Sequence, residues 1–437
     1  MDSEVEDANA TLFVVGDIGR SPRMGYHAYS LARQGAYVNL VGYMDNQPHG
    51  DVFGEQINFV ALPKPPISSS SDNPFRRFLI RLVKMVWLLF AIPYAFFVLC
   101  RGHRHRQLIM VQNPPGIPAM IVCYLLAKIR FATFVVDWHN YSSSMLDNSW
   151  ISYLVGLIEG FFGRRASFNF CVSNAMKNDL ERRWGVNAIT VYDRPPNWFS
   201  KNTSSEEKIK FLHCFTSETL SGLTEEWKFV HEEADGTLTL RENRPFLAVS
   251  STSWTPDEDF SILLDALVRL DQRMTDVETQ GTSKTHPKIV VVITGKGPQK
   301  EFYEERIRNT KWEKVRIFTA WLSADDYPKF LSCADLGVSL HTSTSGFDLP
   351  MKVVDMLGSG VPVLAKNFPA IGELIDGTNG LLFDTPEELE NLLADLSLGF
   401  PGNSKLTDLT KNVKEEAKKN DWTKNWDDVV WPNFENL

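Results

Sequence analysis

The chain has 437 residues, of which 43% are apolar and 23% are charged. These proportions are typical of a soluble globular protein, and the length favours two or three domains over one. Residues 1–200 carry 19 Lys and Arg against 15 Asp and Glu, a net charge of +4, whereas residues 201–437 carry 26 against 39, a net charge of −13. Unless this asymmetry is due to chance, it indicates that the first half meets an anionic surface. No basic motif interleaved with aromatic residues is visible, which argues against a nucleic-acid partner.

The cysteines and the N-terminus argue against a secreted protein. The cysteines are odd in number, scattered, and without the spacing of metal ligands, which favours reduced thiols facing the cytosol and predicts no metal site. They are Cys100, Cys123, Cys171, Cys214 and Cys333. The first ten residues are acidic or polar and do not form a signal peptide.

Short, continuously apolar runs predict strands that are buried on both faces of parallel sheets. In the first half they cover residues 11–16, 36–43, 57–62, 107–112, 132–137, 167–172 and 188–192. In the second half they cover residues 246–250, 288–294, 315–319, 336–340, 361–365 and 380–383. Helical patterns, such as those at 259–270 and 324–331, fill the gaps between the strands.

The alternation of strands and helices in both halves predicts an α/β protein with two doubly wound parallel sheets. Residues 201–244 are polar and poorly periodic, and we expect the interdomain segment there. The expected domains are therefore residues 1–200 and 245–420, with a C-terminal tail, 421–437, that packs back on the first domain.

Residues 85–100 (MVWLLFAIPYAFFVLC) contain no charge. The run is shorter than the roughly 20 residues of a spanning helix, and Pro93 interrupts it. Basic residues flank it on both sides over 76–106, as expected of an interfacial or re-entrant segment whose cations meet lipid headgroups. The alternative is a buried helix of the first domain.

The loop 16–23 (GDIGRSPR) follows the first predicted strand. Ser21 has the position of an N-cap and Pro22 that of the first helical residue, so free N–H groups, Arg20 and Arg23 predict an anion site, most simply for a diphosphate. The spacing of Gly16 and Gly19 is not that of a dinucleotide-binding fingerprint, which disfavours a redox enzyme. The alternative is a tight turn with solvated arginines.

Two further segments follow predicted strands. Asp137 and His139, in the motif DWHNY, lie where open α/β sheets place ligand-contacting residues, and either side chain is a candidate general base. The alternative for His139 is a merely hydrogen-bonded side chain. Gly295 and Gly297 allow the backbone to approach a ligand closely.

Residues 343–363 (STSGFDLPMKVVDMLGSGVPV) give the most specific signal in the sequence. A loop rich in Ser and Gly opens a helix, whose N-terminus can hold a diphosphate. Lys352 can neutralise the charge of a leaving group, and Asp355 can accept hydrogen bonds from ribose hydroxyls.

These segments, in this order, resemble the chitobiosyldiphosphodolichol β-mannosyltransferase family of GT-B glycosyltransferases. The resemblance rests on 16–24, 137–141, 192–196 (YDRPP), 250–255 (SSTSWT) and 346–356, and extends over residues 11–435. It implies the GT-B fold, two facing Rossmann-like domains with the active site in the cleft between them. It also implies transfer of mannose from GDP-mannose to GlcNAc2-diphosphodolichol, with inversion and a new β-1,4 bond, as the first mannosylation of the lipid-linked oligosaccharide.

The resemblance further implies a location at the cytosolic face of the endoplasmic reticulum membrane and other dolichol-pathway mannosyltransferases as partners. No cofactor is required on this interpretation, because GT-B enzymes often stabilise the departing nucleotide with protein groups. His139, Asp137 and Lys352 are the expected catalytic residues. The donor is expected to meet Ser251, Thr252, Gly295, Gly297, Thr319, Trp321, Leu322, Ser345, Gly346, Asp348, Leu349, Lys352 and Asp355. The acceptor or a diphosphate is expected to meet Gly16, Gly19, Arg20, Ser21, Arg23 and Arg194.

The sequence departs from related patterns in three places. Retaining GT-B enzymes carry Arg and Lys where residues 251–259 offer hydroxyls and acids, and they use two glutamates where this chain has Ser345 and Asp355. Both differences favour an inverting enzyme. Members of the family usually begin with a membrane anchor, whereas this sequence begins with polar residues. The alternatives are a retaining GDP-mannose-dependent enzyme of the same pathway and a non-catalytic GT-B scaffold.

Overall fold

Seven parallel strands form the first sheet, in the order β3-β2-β1-β4-β5-β6-β7. They are β1 (Asn9–Asp17), β2 (Tyr37–Tyr43), β3 (Ile57–Ala61), β4 (Gln107–Asn113), β5 (Thr133–Trp138), β6 (Phe168–Cys171) and β7 (Ile189–Thr190). Leu12, Met110 and Val136 in its central strands are fully buried, as expected for apolar runs covered on both faces. All seven strands were predicted from the sequence.

A second sheet of six parallel strands has the order β12-β11-β10-β13-β14-β15. Its strands are β10 (Phe246–Ser251), β11 (Ile289–Thr294), β12 (Val315–Ala320), β13 (Leu336–Ser339), β14 (Val363–Lys366) and β15 (Gly380–Phe383). Both sheets change direction beside their first strand, between β1 and β4 and between β10 and β13. Ligands of open α/β sheets bind at such switch points, beyond the carboxyl ends of the strands.

Helices connect the strands in the usual alternation. Those packed on the first sheet are α1 (Pro22–Arg33), α2 (Pro74–Tyr94), α3 (Ala119–Arg130), α4 (Ser149–Gly163) and α5 (Asn174–Trp184). The later ones are α6 (Ser205–Glu218), α7 (Ser261–Thr279), α8 (Lys300–Asn309), α9 (Asp326–Leu331), α10 (Met351–Gly358), α11 (Pro386–Ser397), α12 (Ser404–Lys419) and α13 (Trp422–Val429). This computed structural model describes residues 9–46, 54, 56–67, 74–101, 107–146, 148–196, 204–220, 223–256, 258–279 and 286–434.

Residues 201–244, where we predicted the interdomain segment, contain a helix and a two-stranded hairpin. Helix α6 begins with a capping box, in which Ser204 and Glu207 each accept a hydrogen bond from the other's backbone N–H. An antiparallel hairpin of β8 (Val230–Glu232) and β9 (Leu238–Leu240) follows. Ser204 and Glu207, three residues apart, are the sequence signal from which this helix could have been predicted.

The chain divides into two compact units, which we describe separately. Unit 1 comprises Met1–Asp193 and Trp422–Leu437, and unit 2 comprises Arg194–Asp421. The C-terminal α13 belongs to unit 1, where its tryptophans bond to α1. The indole N–H of Trp422 donates to Ser30 Oγ and that of Trp426 to His27 Nδ1, each at 3.0 Å.

The apolar segment 85–100 is helical over most of its length. Helix α2 runs through Pro93 to Tyr94 and widens into a π-type turn at Ala95–Leu99, so the proline does not interrupt the helix where the sequence suggested. The missing N–H of proline removes one helical hydrogen bond, and such wider turns accommodate that loss. By length and composition, Leu79–Leu99 is the one candidate membrane span among the described residues, and 28% of it is buried in the protein.

Candidate active site

The loop after β1 is organised by Asp17. Its carboxylate accepts hydrogen bonds from the backbone N–H groups of Gly19, Asp45 and Asn46 at 3.1–3.3 Å. Burial alone would raise the pKa of Asp17, but these bonds and one from the Asn46 side chain lower it. A side chain at Gly19 would place its Cβ 2.6 Å from the Asn46 carbonyl oxygen, so this loop requires glycine there. A Cβ on Gly16 would lie 3.8 Å from the Val14 side chain, an ordinary contact distance.

The two arginines of this loop have different environments. Arg20 is exposed, with its Nε 3.7 Å from Asp17, and is placed to meet an anion. Ser21 is the N-cap of α1, as predicted, although its side chain makes no capping bond. Arg23 is 2% exposed and its guanidinium donates to Asp137, Asp193 and the Val191 carbonyl oxygen, an environment that does not favour the predicted contact with a substrate diphosphate.

Asp137, at the end of β5, is the centre of a buried charge cluster. Arg23 forks onto both of its carboxylate oxygens at 2.9 Å, and the remaining Nη1 of Arg23 donates to Asp193 and to the Val191 carbonyl oxygen. Burial alone would raise the pKa of Asp137, but the charge of Arg23 and the neighbouring histidines hold it well below its usual value. Asp137 is therefore an ionised carboxylate with no exposed surface, which makes it unsuitable as the base itself.

His139 is presented by this cluster. Its Nε2 lies 2.7 Å from Asp137 Oδ2, and its side chain is 22% exposed. Because an ionised carboxylate accepts a proton-bearing nitrogen, Nε2 carries the hydrogen and Nδ1 is the nitrogen that can take up a proton. The backbone N–H of His139 donates to Asn113 at the end of β4, which fixes the loop beside the switch point.

Sequence reasoning missed the residues that brace the loop around His139. Glu159 is fully buried and accepts from Asn113 Nδ2 at 2.8 Å and from the Ser142 N–H at 2.7 Å. Asn113 also donates to the Asn140 carbonyl oxygen. A lone glutamate in the apolar helix α4 was the signal, since buried carboxylates occur only where they are paired.

In unit 2, the loop after β13 is held by its own hydroxyl groups. Ser343 donates to the carboxylate of Asp348 and accepts from the Gly346 N–H at 2.8 Å, while Ser345 Oγ lies 3.4 Å from Asp348. Gly346 has φ 82°, a conformation that favours glycine. Burial alone would raise the pKa of Asp348, but the His341 ring and Ser343 lower it. Asp348 thus shapes the loop from inside, and Leu349 is buried in the core.

Lys352 lies in the first turn of α10 and pairs with Glu258. Glu258 is 2% exposed and also accepts from the Thr252 hydroxyl and from the Ser253 N–H. This buried carboxylate holds the lysine beside the N-terminus of α10, where backbone N–H groups have no helical partner. The role of Glu258 was not predicted, because the sequence only marked it as an acid in an unusual position.

The glycines after β11 were predicted to let the backbone approach a ligand, but in the structure they let it approach another loop of unit 2. A Cβ on Gly295 would lie 1.8 Å from the Thr252 carbonyl oxygen, and one on Gly297 would lie 1.7 Å from that of Ser253. These glycines let two loops of unit 2 touch each other. They therefore fix the Thr252 loop, and nothing in this packing requires a ligand.

Other residues predicted to bind the donor lie at the same end of the second sheet. Ser251 accepts from Thr294 and is hydrogen-bonded to the buried Tyr327 hydroxyl, each at 3.0 Å. Burial and the nearby charge of Asp355 raise the pKa of that phenol. The Thr319 hydroxyl donates to Glu304.

An exposed tryptophan lies next to these residues in sequence. Trp321 is 62% exposed, with Lys296 Nζ 4.0 Å from its ring centroid, and Leu322 is half-buried. An exposed aromatic ring of this kind provides a face on which a nucleobase can stack.

Arg194 belongs to unit 2, whereas the other predicted acceptor residues belong to unit 1. It lines a cavity of about 410 Å³ together with several carboxylates. These are Glu373, Asp376, Glu415 and Glu416. An acidic cavity repels a diphosphate, so the structure does not support the phosphate contact expected of Arg194.

The two units thus offer complementary chemistry. Unit 1 presents an imidazole with a fixed tautomer, and unit 2 presents a lysine and a helix N-terminus beside a hydroxyl-lined loop. A base for a hydroxyl group and cationic stabilisation of a diphosphate are the two requirements of transfer from a nucleotide sugar.

Solved structures share this fold at low sequence identity. A crystal structure of the Anabaena protein HepE in complex with UDP-glucose superposes with a TM-score of 0.64 at 16% identity, covering 98% of this chain and 100% of that one. Sucrose-phosphate synthase from Thermosynechococcus elongatus gives a TM-score of 0.65 at 12% identity, with 98% of each chain covered. Residues 245–397 match the family model for glycosyl transferases group 1. The protein is a glycosyltransferase of the GT-B fold.

Sequence relatives narrow the assignment. The chitobiosyldiphosphodolichol beta-mannosyltransferase of Homo sapiens is 38% identical, covering 96% of this chain and 91% of the relative, and that of Dictyostelium discoideum is 36% identical with 94% and 91% covered. A protein named UDP-glycosyltransferase TURAN, from Arabidopsis thaliana, is 38% identical with 97% and 96% covered. The chain belongs to the chitobiosyldiphosphodolichol β-mannosyltransferase family.

Proposed function

We propose that the chain transfers mannose from GDP-mannose to GlcNAc2-diphosphodolichol, with inversion at mannose C1 and formation of a β-1,4 bond. The names of the relatives support the sugar and the acceptor. The name of the Arabidopsis relative specifies UDP, whereas the mannosyltransferase names specify no nucleotide. The reaction is the first mannosylation of the lipid-linked oligosaccharide, at the cytosolic face of the endoplasmic reticulum membrane.

The main support from the geometry is the presentation of His139 by Asp137. An inverting transfer is a single displacement, so one base must remove the proton of the acceptor O4 hydroxyl as that oxygen attacks C1. Nδ1 of His139 accepts this proton, while Asp137 keeps the hydrogen on Nε2 and stabilises the imidazolium that forms.

Departure of GDP breaks the bond between C1 and the β-phosphate oxygen. Lys352 and the N-terminal N–H groups of α10 stabilise the negative charge that develops on that oxygen. Ser251 and the hydroxyls of the Ser343 loop hold the donor, Asp355 accepts from the ribose, and the ring of Trp321 stacks on the base. Protein groups thus supply the cationic charge, and we propose that no cofactor is required.

A transfer assay tests this proposal. Purified protein is incubated with GDP-mannose and a short-chain, water-soluble GlcNAc2-diphosphate lipid, with UDP-glucose and UDP-GlcNAc as competing donors and with EDTA in parallel. We expect one mannose, removed by a β-mannosidase and not by an α-mannosidase, and equal rates with EDTA. An α-linked product would instead identify a retaining enzyme. The absence of both transfer and GDP binding would favour the scaffold, whereas bound GDP without transfer would point to another acceptor.

A further inference from the structure

Helices α2, α3 and α4 form one layer on unit 1. Each lies in a connection that crosses the first sheet in the same direction, from β3 to β4, from β4 to β5 and from β5 to β6. Because such crossovers are right-handed, all three helices cover the same face of the sheet. Helix α2 contacts α3, and α3 contacts α4.

The outer side of this layer is apolar. Most of the large apolar side chains that are exposed among the described residues belong to it. Phe90 on α2 and Trp150 on α4 are each 70% exposed, and Phe131 at the end of α3 is 97% exposed. We call this surface the three-helix face. A soluble monomer rarely exposes so large an apolar patch unless the patch binds something.

Phe131 adds an independent observation. It ends α3 with φ 53°, in the left-handed region where glycine is usual and a phenylalanine is strained. The ring at this strained position lies almost wholly in solvent, so packing within the protein does not account for it.

The charges around the three-helix face have one sign. The sequences of α2 and α3 contain no Asp or Glu, and that of α4 contains only Glu159, which is buried. Exposed cations lie on these helices or follow them in sequence. They are Arg76, Arg81, Arg101, Lys128, Arg164 and Arg165. Lys128 and Arg165 lie over the rings of Tyr124 and Phe161. Apolar side chains rimmed by cations match the acyl chains and anionic headgroups of a bilayer.

The inner side of α2 belongs to the core of unit 1. Ile92 and Phe96 are buried, and Phe96 packs against Phe13 of β1 with ring centroids 6.4 Å apart. The indole N–H of Trp87 donates to the Pro63 carbonyl oxygen at 2.8 Å. A helix that crossed a bilayer would have to withdraw these groups from the protein, so the geometry favours a helix lying in the plane of the interface.

We propose that the three-helix face docks unit 1 on an anionic phospholipid bilayer, with α2 lying on the membrane and α3 and α4 contributing to the contact. The docking rests on the proposed function in one respect, because a lipid-linked acceptor lies in a membrane and the enzyme must reach it there. It assigns membrane contacts to α4, which lies well outside the apolar segment 85–100.

Flotation of the full chain with lipid vesicles tests this docking. The probes are vesicles of phosphatidylcholine alone and of phosphatidylcholine with phosphatidylserine. Tyr153→Ser combined with Leu157→Ser removes two exposed apolar side chains of α4, and we expect the partition coefficient to fall roughly 10-fold or more. Phe302→Ser, at an exposed apolar residue of unit 2, is the matched control and should float like the wild type.

The charge contribution is tested separately. Arg81→Gln combined with Lys128→Gln should weaken binding to the anionic vesicles about 10-fold or more and leave binding to neutral vesicles unchanged. Washing with alkaline carbonate should release the bound wild-type protein, because a helix lying on the surface is not embedded across the bilayer.

Three results would overturn the docking. They are flotation of the α4 variant at the wild-type level, resistance of the wild type to carbonate, and a wild-type dimer in solution that the α4 variant abolishes. Transfer to the short-chain acceptor separates this proposal from the proposed function, because the folded α4 variant should retain it. A wild type that floats but transfers no mannose would contradict the proposed function alone.

Discussion

Both units place a buried carboxylate beside a basic side chain at the carboxyl end of their sheets, but they use the pair differently. In unit 1, Asp137 accepts from Nε and Nη2 of Arg23 and also holds His139, whose ring is partly exposed. In unit 2, Glu258 holds Lys352, which is itself the side chain at the surface. The same kind of ion pair therefore has two different effects. In unit 1 it fixes the buried residues behind His139, and in unit 2 it positions Lys352, the predicted catalytic cation.

The largest effect should come from Asp137→Asn. Leaving a buried Arg23 with one carboxylate fewer costs about 3–5 kcal/mol of folding free energy. An amide also fails to fix the His139 tautomer, which in a comparable aspartate–histidine pair costs on the order of 10⁴-fold in turnover. Denaturant unfolding and kcat with the short-chain acceptor measure the two losses.

Asp193→Asn is the matched control for that variant. Asp193 also pairs with Arg23, at 2.9 Å, but it is not hydrogen-bonded to His139. We expect it to lose stability while turnover, measured on the folded fraction, falls much less than in Asp137→Asn. Equal losses of turnover would show that Asp137 acts through Arg23 alone.

His139→Gln should lower turnover by about 10²–10⁴-fold at an unchanged free energy of unfolding. The side chain is partly exposed and contributes one hydrogen bond, so its removal should leave the cluster of Asp137 and Arg23 intact. A loss of turnover below about tenfold, measured with the short-chain acceptor, would exclude His139 as the base.

Lys352→Ala should raise the barrier to transfer by about 2–4 kcal/mol, because the charge on departing GDP loses its cation. Glu258→Gln keeps the lysine but weakens its placement, so a smaller loss of kcat is expected. Lys405→Ala, at an exposed lysine of unit 2 that pairs with Asp395, is the control and should be silent. Wild-type turnover in Lys352→Ala would reject the assignment.

The sequence was sufficient for the fold because its signals are local. Continuous apolar runs predicted all the strands of both sheets, and turn residues such as Ser21 and Pro22 marked where α1 begins. Helix α6 was missed because its outer surface is polar, although the Ser and Glu of its capping box are visible in the sequence. The position of the candidate site could likewise be predicted, since functional residues follow the ends of parallel strands.

The pairing of side chains could not be predicted in the same way. Arg20 and Arg23 are equivalent in a linear motif, yet one is exposed and the other buried, because the helical turn after Pro22 directs Arg23 towards β5. Asp193 and Asp137, 56 positions apart in the sequence, meet on one guanidinium only in the folded sheet. Glu258 likewise meets Lys352 from a distant loop.

The smallest expected effect is a pH dependence of stability that is larger in unit 1 than in unit 2. Burial lowers the pKa of His27, whose Nδ1 accepts from Trp426, so this ring is neutral in the folded protein. In the unfolded chain the His27 ring takes up a proton near pH 6.5, which the folded protein does not bind. The free energy of unfolding is therefore unaffected by His27 above that pH and decreases as the pH falls below it. The loss is at most about 1.4 kcal/mol one pH unit below that value.

Thermal unfolding of the full chain between pH 7.5 and 5.5 measures this effect as a decline in the transition of unit 1. His27→Gln keeps an acceptor for Trp426 and removes the titrating group, so it should flatten the decline. Unit 2 should decline less, because burial also lowers the pKa of its His286 but that ring is only half-buried. Asp137, Arg23 and His139 face His27, yet Asp137 and Arg23 keep their charges over this range. A decline that persists in His27→Gln would contradict its assignment to His27.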